Sequence, residues 1–154
     1  MVLALSACAQ DYQSFDEMAL EMSKGTAPEI TATTLNEADF SPVIFLDARE
    51  KAEYDVSHIK GALFVGYNNF ELSNLPNLEK FTTIVVYCSV GYRSGVIGKK
   101  LRKLGFTSVF NLYGGLFDWV NNGNPVYSKS KKVTKVHPYN SKWGKWLNTE
   151  FHSN

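Results

Sequence analysis

The chain is short of everything that marks a specialised polypeptide. Its 154 residues include two cysteines, Cys8 and Cys88, and three histidines. Two thiols are too few for a disulfide scaffold. His137 and His152 stand at no spacing to a cysteine that would make a zinc site, so no metal is expected. The net charge is only +1, which gives no global attraction to nucleic acid or to a membrane surface. No apolar run approaches the roughly 18 residues of a membrane-spanning helix. What remains, 44% hydrophobic and 20% charged residues, describes an ordinary globule long enough for one self-sufficient core. The charge is unevenly spread, however. Residues 1–50 carry nine acids and two bases, whereas residues 126–154 carry six lysines and one glutamate.

Two continuous apolar runs stand out, Val43-Ile44-Phe45-Leu46 and Thr83-Ile84-Val85-Val86-Tyr87. Such runs predict strands covered on both faces. Residues 62–65 and 108–112 are shorter strand candidates, and the threonine-rich stretch 29–35 predicts an edge strand. Helical patterns fall between them, at residues 51–57, about 70–81, 94–104 and 116–121. This alternation implies an α/β fold with a parallel sheet and helices on its faces. Upstream, Ser14-Phe15-Asp16-Glu17 forms a capping-box pattern. Phe15, Met18, Ala19 and Met22 then share one face, predicting an amphipathic helix over residues 15–24 closed by Gly25. In the 94–104 helix, Ile97, Leu101 and Leu104 make the core stripe, while Gly95 and Gly98 permit close approach to sheet or loop. Its Lys99, Lys100, Arg102 and Lys103 complement the helix dipole and read as a solvated face.

Cys88 follows the second apolar run directly and is followed by Ser89-Val90-Gly91-Tyr92-Arg93-Ser94 and then a helix. Ligands of parallel sheets bind beyond the carboxyl ends of the strands, which is where this thiol falls. Asp47 and Arg49, just after Leu46, fall at the same edge. Helix-terminal N–H groups and the Arg93 guanidinium would favour a charged, nucleophilic sulfur. A loop curled around it, with several backbone N–H groups aimed inward, would stabilise that charge. Gly91 gives the curl its conformational latitude. Arg93 carries forked donors suited to sulfonate oxygens; the alternative is a salt bridge that stiffens the loop. Val90 and Tyr92 either pack at the rim or touch the sulfur donor. The competing reading of Cys88 is a buried structural thiol, which the order strand, loop, arginine, helix disfavours. A disulfide to Cys8 would occupy the reactive group and is not expected, and no second thiol nearby supports a redox couple. A cysteine phosphatase or arsenate reductase needs one more residue before the arginine to cradle a tetrahedral oxyanion. Here Ser94 holds that place.

These residues, taken together, resemble the rhodanese family of sulfurtransferases. Upstream, Leu46-Asp47-Ala48-Arg49-Glu50, Glu53-Tyr54 and His58-Ile59-Lys60-Gly61-Ala62 match the family's pattern. Downstream, Gly105-Phe106, the run Val109-Phe110-Asn111-Leu112-Tyr113-Gly114-Gly115, then Trp119 and Asn124-Pro125 match its close. The resemblance covers residues 27–126. It implies a central, mainly parallel five-stranded sheet flanked by helices on both faces. It also implies transfer of sulfane sulfur, from thiosulfate or a persulfide, through a persulfide on Cys88 to cyanide or a thiol. Cys88 is then catalytic, and Ser89, Val90, Gly91, Tyr92, Arg93 and Ser94 bind substrate. Asp47, Arg49 and His58 support the loop, the first two by hydrogen bonds and charge pairing, His58 by capping the helix before it. No general base is required, and no organic cofactor is expected. The expected partners are a small sulfur donor and its acceptor, without nucleic acid, in a monomer. The alternative is a non-catalytic binding or regulatory module of the same architecture.

The two ends call for separate expectations. Leu5-Ser6-Ala7-Cys8 resembles the lipobox of bacterial lipoprotein precursors, although the basic segment that precedes such signals is missing. Residues 1–8 are therefore expected to be the remnant of a signal whose start lies further upstream. Cys8 would be lipidated, anchoring the protein in the bacterial envelope or periplasm; otherwise it is cytoplasmic. Residues 9–26 hold the amphipathic helix. Residues 127–154 form a basic, aromatic extension, with Lys129-Ser130-Lys131-Lys132 as an exposed linker. Val133, Val136, Tyr139, Trp143, Trp146 and Leu147 beyond it are expected to pack back on the domain with the N-terminal helix. A partner-docking or lipid-surface segment is the alternative.

Overall fold

In the computed structural model, which describes residues 11–154, strands and helices alternate along the chain. The order is α1 (Phe15–Ser23), β1 (Glu29–Ile30), α2 (Ala32–Glu37), β2 (Val43–Asp47), α3 (Lys51–Val56) and β3 (Leu63–Phe64). Then come β4 (Thr83–Tyr87), α4 (Tyr92–Lys103), β5 (Val109–Leu112), α5 (Gly115–Asn121), β6 (Val126–Ser128), β7 (Lys131–Val133) and α6 (Ser141–Gly144). Cys8 and the lipobox lie outside the described residues.

Five strands make one sheet in the order β1-β5-β4-β2-β3, with every pairing parallel. The architecture implied by the resemblance is thus borne out. Strand β4 sits at its centre, and alternate residues supply two separate cores. Ile84 and Val86 join Leu46, Val109 and the α4 residues Ile97 and Leu101 on one face. Val85 and Tyr87 join Leu112 and the α5 residues Leu116, Phe117 and Val120 on the other. Coverage on both sides is the reason β4 reads as an unbroken apolar run. The two glycines of α4 let it approach the α1–β1 connection rather than the sheet. A Cβ on Gly98 would stand 2.8 Å from the Ala27 Cβ, and one on Gly95 2.6 Å from the Thr26 Cβ.

Three expectations fail for identifiable reasons. The predicted edge strand over residues 29–35 shrinks to Glu29–Ile30. Thr31 instead caps α2, its hydroxyl accepting the Thr34 N–H at 3.0 Å; threonine serves as well for a cap as for a strand. The helix expected over about 70–81 is a single 3-10 turn, Leu72–Asn74. Leu72, Leu75 and Leu78 carry a helix-like spacing and do pack on the core. Pro76, however, drives Leu75 out to ψ 150 and stops the helix there. The linker expected at residues 129–132 is instead part of a hairpin, with Lys129 and Ser130 as its turn and Lys131 and Lys132 in β7. Lys129 and Ser130 take φ of 46 and 67, the left-handed pair that suits a two-residue hairpin.

The extension and the first helix meet on the α5 side. Trp146 stands edge-on to Phe15 at 6.1 Å. Asn121 donates to the Trp146 carbonyl and accepts the Asn148 N–H, both at 2.9 Å, while Val136 and Leu147 are buried. The hairpin is tied to the body where His58 and Tyr127 exchange backbone hydrogen bonds of 2.9 and 2.8 Å. No helix among the described residues is long and apolar enough to cross a membrane.

Leu101 is completely buried between α4 and β4. Replacing it with alanine is expected to cost about 2–5 kcal/mol, read as a lowered midpoint in urea unfolding with an unchanged slope.

Candidate active site

The central strand ends at Tyr87, and the chain turns sharply to begin α4 at Tyr92. Gly91 makes the turn at φ 110, a value that side-chain-bearing residues rarely adopt. The turn brings the Gly91 N–H to 3.1 Å from the Cys88 Sγ and the Ser94 Oγ to 3.4 Å from it. Ser94 has one hydroxyl proton, and its 2.7 Å bond to Asn111 Oδ1 is the shorter. The Gly91 amide is therefore the principal donor to the sulfur. The expected ring of several inward amides reduces, among the described residues, to this one amide and the shared hydroxyl.

Asn111 ties the two ends of the loop together. Its Oδ1 takes Ser94, and its Nδ2 donates to the Gly91 carbonyl at 2.8 Å. From behind, the first turn of α5 holds the loop backbone. The Leu116 N–H donates to the Cys88 carbonyl at 2.8 Å and the Phe117 N–H to the Ser89 carbonyl at 3.1 Å. Donors that a helix start leaves unpaired are thus used on the loop. Gly115 makes the approach possible, because a Cβ there would stand 2.6 Å from the Cys88 oxygen.

The front of the loop is clamped by Glu53, from α3. Its Oε1 accepts from the Ser89 hydroxyl at 2.9 Å and from Arg93 Nη2 at 3.0 Å. Its Oε2 accepts from Arg93 Nη1 and from the Glu50 N–H, each at 2.8 Å. Arg93 Nη2 also donates to the Ser89 hydroxyl at 3.0 Å. Burial pushes the Glu53 carboxyl up, but the hydrogen bonds and charge of Arg93 outweigh it and hold the pKa below its ordinary value. The Arg93 fork expected to meet a sulfonate is therefore occupied by a carboxylate, as in the salt-bridge alternative.

Asp47 and Arg49 require correction as loop supports, and so does His58, although its ring caps α3 as expected. Asp47 and Arg49 pair with each other, at 2.6 Å from Nη2 to Oδ2, with no exposure on either side chain. Arg49 Nη2 also donates to the Ser57 carbonyl at 2.7 Å. His58 Nδ1 lies 3.0 Å from the Tyr54 carbonyl at the end of α3, and its ring stacks on Tyr54 at 4.0 Å. Among the described residues none of the three side chains bonds to residues 88–94; they brace the β2–α3–β3 corner. Glu53 and Asn111 do the work expected of them. Asn111 had a readable signal, as a lone amide in a strand buried on both faces must be partnered. Glu53 stood in the family pattern beside Tyr54, but nothing in the sequence marked its side chain as the partner of Arg93.

Cys88 itself is only 1% exposed. Burial, and after it the nearby Tyr92, push the Tyr67 hydroxyl above its ordinary pKa. Tyr92 is half-exposed. Tyr139, from the C-terminal extension, lies against Arg93, with the guanidinium carbon 4.7 Å from its ring centre.

A free thiol held at the carboxyl end of a central parallel strand, on a loop closed by an arginine, agrees with the family comparison. Rhodanese-like domain is the description of the family that matches residues 31–122. The chain belongs to the rhodanese-like family. A tRNA uridine(34) hydroxylase of Aster yellows witches'-broom phytoplasma is 34% identical over 113 residues, 68% of this chain and 35% of that protein. A probable adenylyltransferase/sulfurtransferase of Mycobacterium tuberculosis is 27% identical over 120 residues, 75% of this chain and 31% of that protein. The chain thus spans about a third of the length of these relatives. The solved rhodanese-like domain of an Anabaena protein superposes with a TM-score of 0.58 at 27% identity, covering 73% of this chain and 89% of that one. Rhodanese-like relatives therefore include sulfurtransferases, alongside proteins named as tRNA hydroxylases.

The Glu53 clamp has a measurable signature. Its pKa is depressed on folding, so its contribution to stability is complete above the unfolded value near 4.5. That contribution is lost as pH falls through the lower folded value. Glu53→Ala, which leaves Arg93 buried without its partner, is expected to cost about 3 kcal/mol at neutral pH. Glu53→Gln is expected to flatten the acid limb of stability against pH, followed by denaturant midpoints.

Proposed function

We propose that the protein is a sulfurtransferase that carries sulfane sulfur as a persulfide on Cys88, taking it from thiosulfate or a persulfide and passing it to a thiol or cyanide. The observation that carries this reading is the position of Sγ, hydrogen-bonded by the Gly91 N–H on a loop made rigid from three sides. In the first step the Cys88 thiolate attacks the outer sulfur of the donor. The Sγ–S bond forms, the donor's own bond to that sulfur breaks, and the carrier leaves with the electron pair as sulfite or a thiolate. In the second step the acceptor, cyanide or a thiolate, attacks the same outer sulfur. The Sγ–S bond breaks and Sγ keeps the pair, which restores the thiolate. Neither step needs an external oxidant or a general base.

The fixed amide assists both steps, because a donor already aimed at the sulfur costs no reorganisation when charge develops there. Asn111 and the α5 amides act as positioning groups, holding the peptide planes on either side of that donor. The family's sulfurtransferases and the intact spacing from Cys88 to Arg93 support this reading over a binding module.

Incubation of the purified protein with thiosulfate or glutathione persulfide, followed by intact mass measurement, is expected to show the gain of one sulfur atom. Cyanide should remove it, and Cys88→Ser should abolish it. A chain that gains no sulfur from either donor would be the binding module instead. Lipid attachment at Cys8 belongs to the same proposal. Fatty-acid labelling of the protein expressed in a bacterium from its natural gene is expected to mark the wild type and not Cys8→Ser, which should leave the membrane fraction.

A further inference from the structure

Residues 31–122 account for the family match, yet one side chain against Arg93 comes from beyond them. Tyr139 follows the hairpin and reaches back to Arg93, placing its ring 4.7 Å from the guanidinium carbon. Its backbone is held at φ 67, an uncommon conformation for a bulky residue. The surroundings impose it. The Val136 N–H donates to the Phe151 carbonyl at 2.7 Å and the Ser153 N–H to the Val136 carbonyl at 2.9 Å. The Tyr139 N–H donates to His137 Nδ1 at 3.0 Å, and Asn140 caps α6 by accepting the Trp143 N–H at 3.1 Å. Strain of this kind persists only where the structure around it fixes the geometry, and it gathers at functional sites.

Arg93 is the cation at the end of the Cys88 loop, and its capacity can be counted. A guanidinium has five N–H donors. Three are committed, two to Glu53 and one to Ser89. The other two have no hydrogen-bond partner among the described residues, and they would be the groups left to receive a sulfonate oxygen. The Tyr139 ring lies against this guanidinium, where it competes with an approaching anion for the same charge.

We propose that Tyr139 is a specificity-determining residue of the Cys88 site, withholding Arg93 from sulfonate-bearing donors and so favouring sulfane sulfur carried on a thiol. This rests on the reading of Cys88 as the sulfur carrier. With a persulfide donor, Sγ takes the outer sulfur as the donor's S–S bond breaks, and the carrier departs as a thiolate. No sulfite is released, and no oxyanion has to be bound on the way.

The test separates the two ideas by using a background that cannot react. In full-length Cys88→Ser protein, thiosulfate binding is titrated by calorimetry with Tyr139 intact, with Tyr139→Gly and with Tyr139→Phe. Glycine suits φ 67, so Tyr139→Gly removes the ring and relaxes the backbone, and thermal unfolding checks that it folds. Thiosulfate is expected to bind about threefold to fivefold tighter to Tyr139→Gly, the scale of one cation–π contact at an exposed site. Tyr139→Phe should match the parent, because the ring and not the hydroxyl meets Arg93. Equal binding by the parent and Tyr139→Gly, including no binding by either, would overturn the inference. So would Tyr139→Phe behaving like Tyr139→Gly. Sulfur uptake by the chain with Cys88 intact tests the carrier reading by itself.

Discussion

Everything near the sulfur depends on one buried carboxylate. Glu53 is almost fully enclosed, and burying a charge without partners is prohibitive. Four donors surround it: two nitrogens of Arg93, the Ser89 hydroxyl and the Glu50 amide. The chain can close over Glu53 only if all four arrive, and three of them belong to the loop that carries Cys88. Folding of the α3 corner and shaping of the loop are thus one event. The arginine keeps its positive charge near the sulfur while its geometry is dictated by the acid.

The sheet supplies the other half of the arrangement. Parallel strands direct their carboxyl ends to one edge, so the turn after β4 and the turn after β5 emerge side by side. That adjacency lets Asn111 on β5 reach both Gly91 and Ser94, and lets α5 approach the loop from behind. Among the described residues the longest helix, α4, has twelve residues, and α5 has only seven. Its contribution to the site is made by individual amides at hydrogen-bond distance, which length does not limit.

The sheet and the nucleophile were legible because they are local. An unbroken apolar run ending in a thiol, then a glycine-containing turn and a helix, is written in consecutive residues from Thr83 onward. The supports were less legible because they are distant. Asp47 and Arg49 were the conspicuous charges at the right edge, but two opposite charges two residues apart satisfy each other first. Glu53 lies 40 positions from Arg93, and only the folded order of β2 and β4 brings them together. Spacing also misled where one residue overruled it, as Pro76 did for the leucines at 72, 75 and 78. Tyr139 was counted simply as apolar surface, since nothing in its neighbours foretells a left-handed backbone.

The tether between α5 and the loop limits how the site can be controlled. In a trans peptide the C=O and N–H point in opposite directions, so fixing the carbonyls of Cys88 and Ser89 on α5 also fixes the amides of Ser89 and Val90. A peptide flip, the cheapest way to switch an anion-binding loop on or off, would have to break the bonds from Leu116 and Phe117 together. The Gly91 amide that meets the sulfur lies between those two planes and the one Asn111 holds through the Gly91 carbonyl. Any change that leaves the flanking planes in place must therefore come from the single Val90–Gly91 peptide or from side chains around the loop.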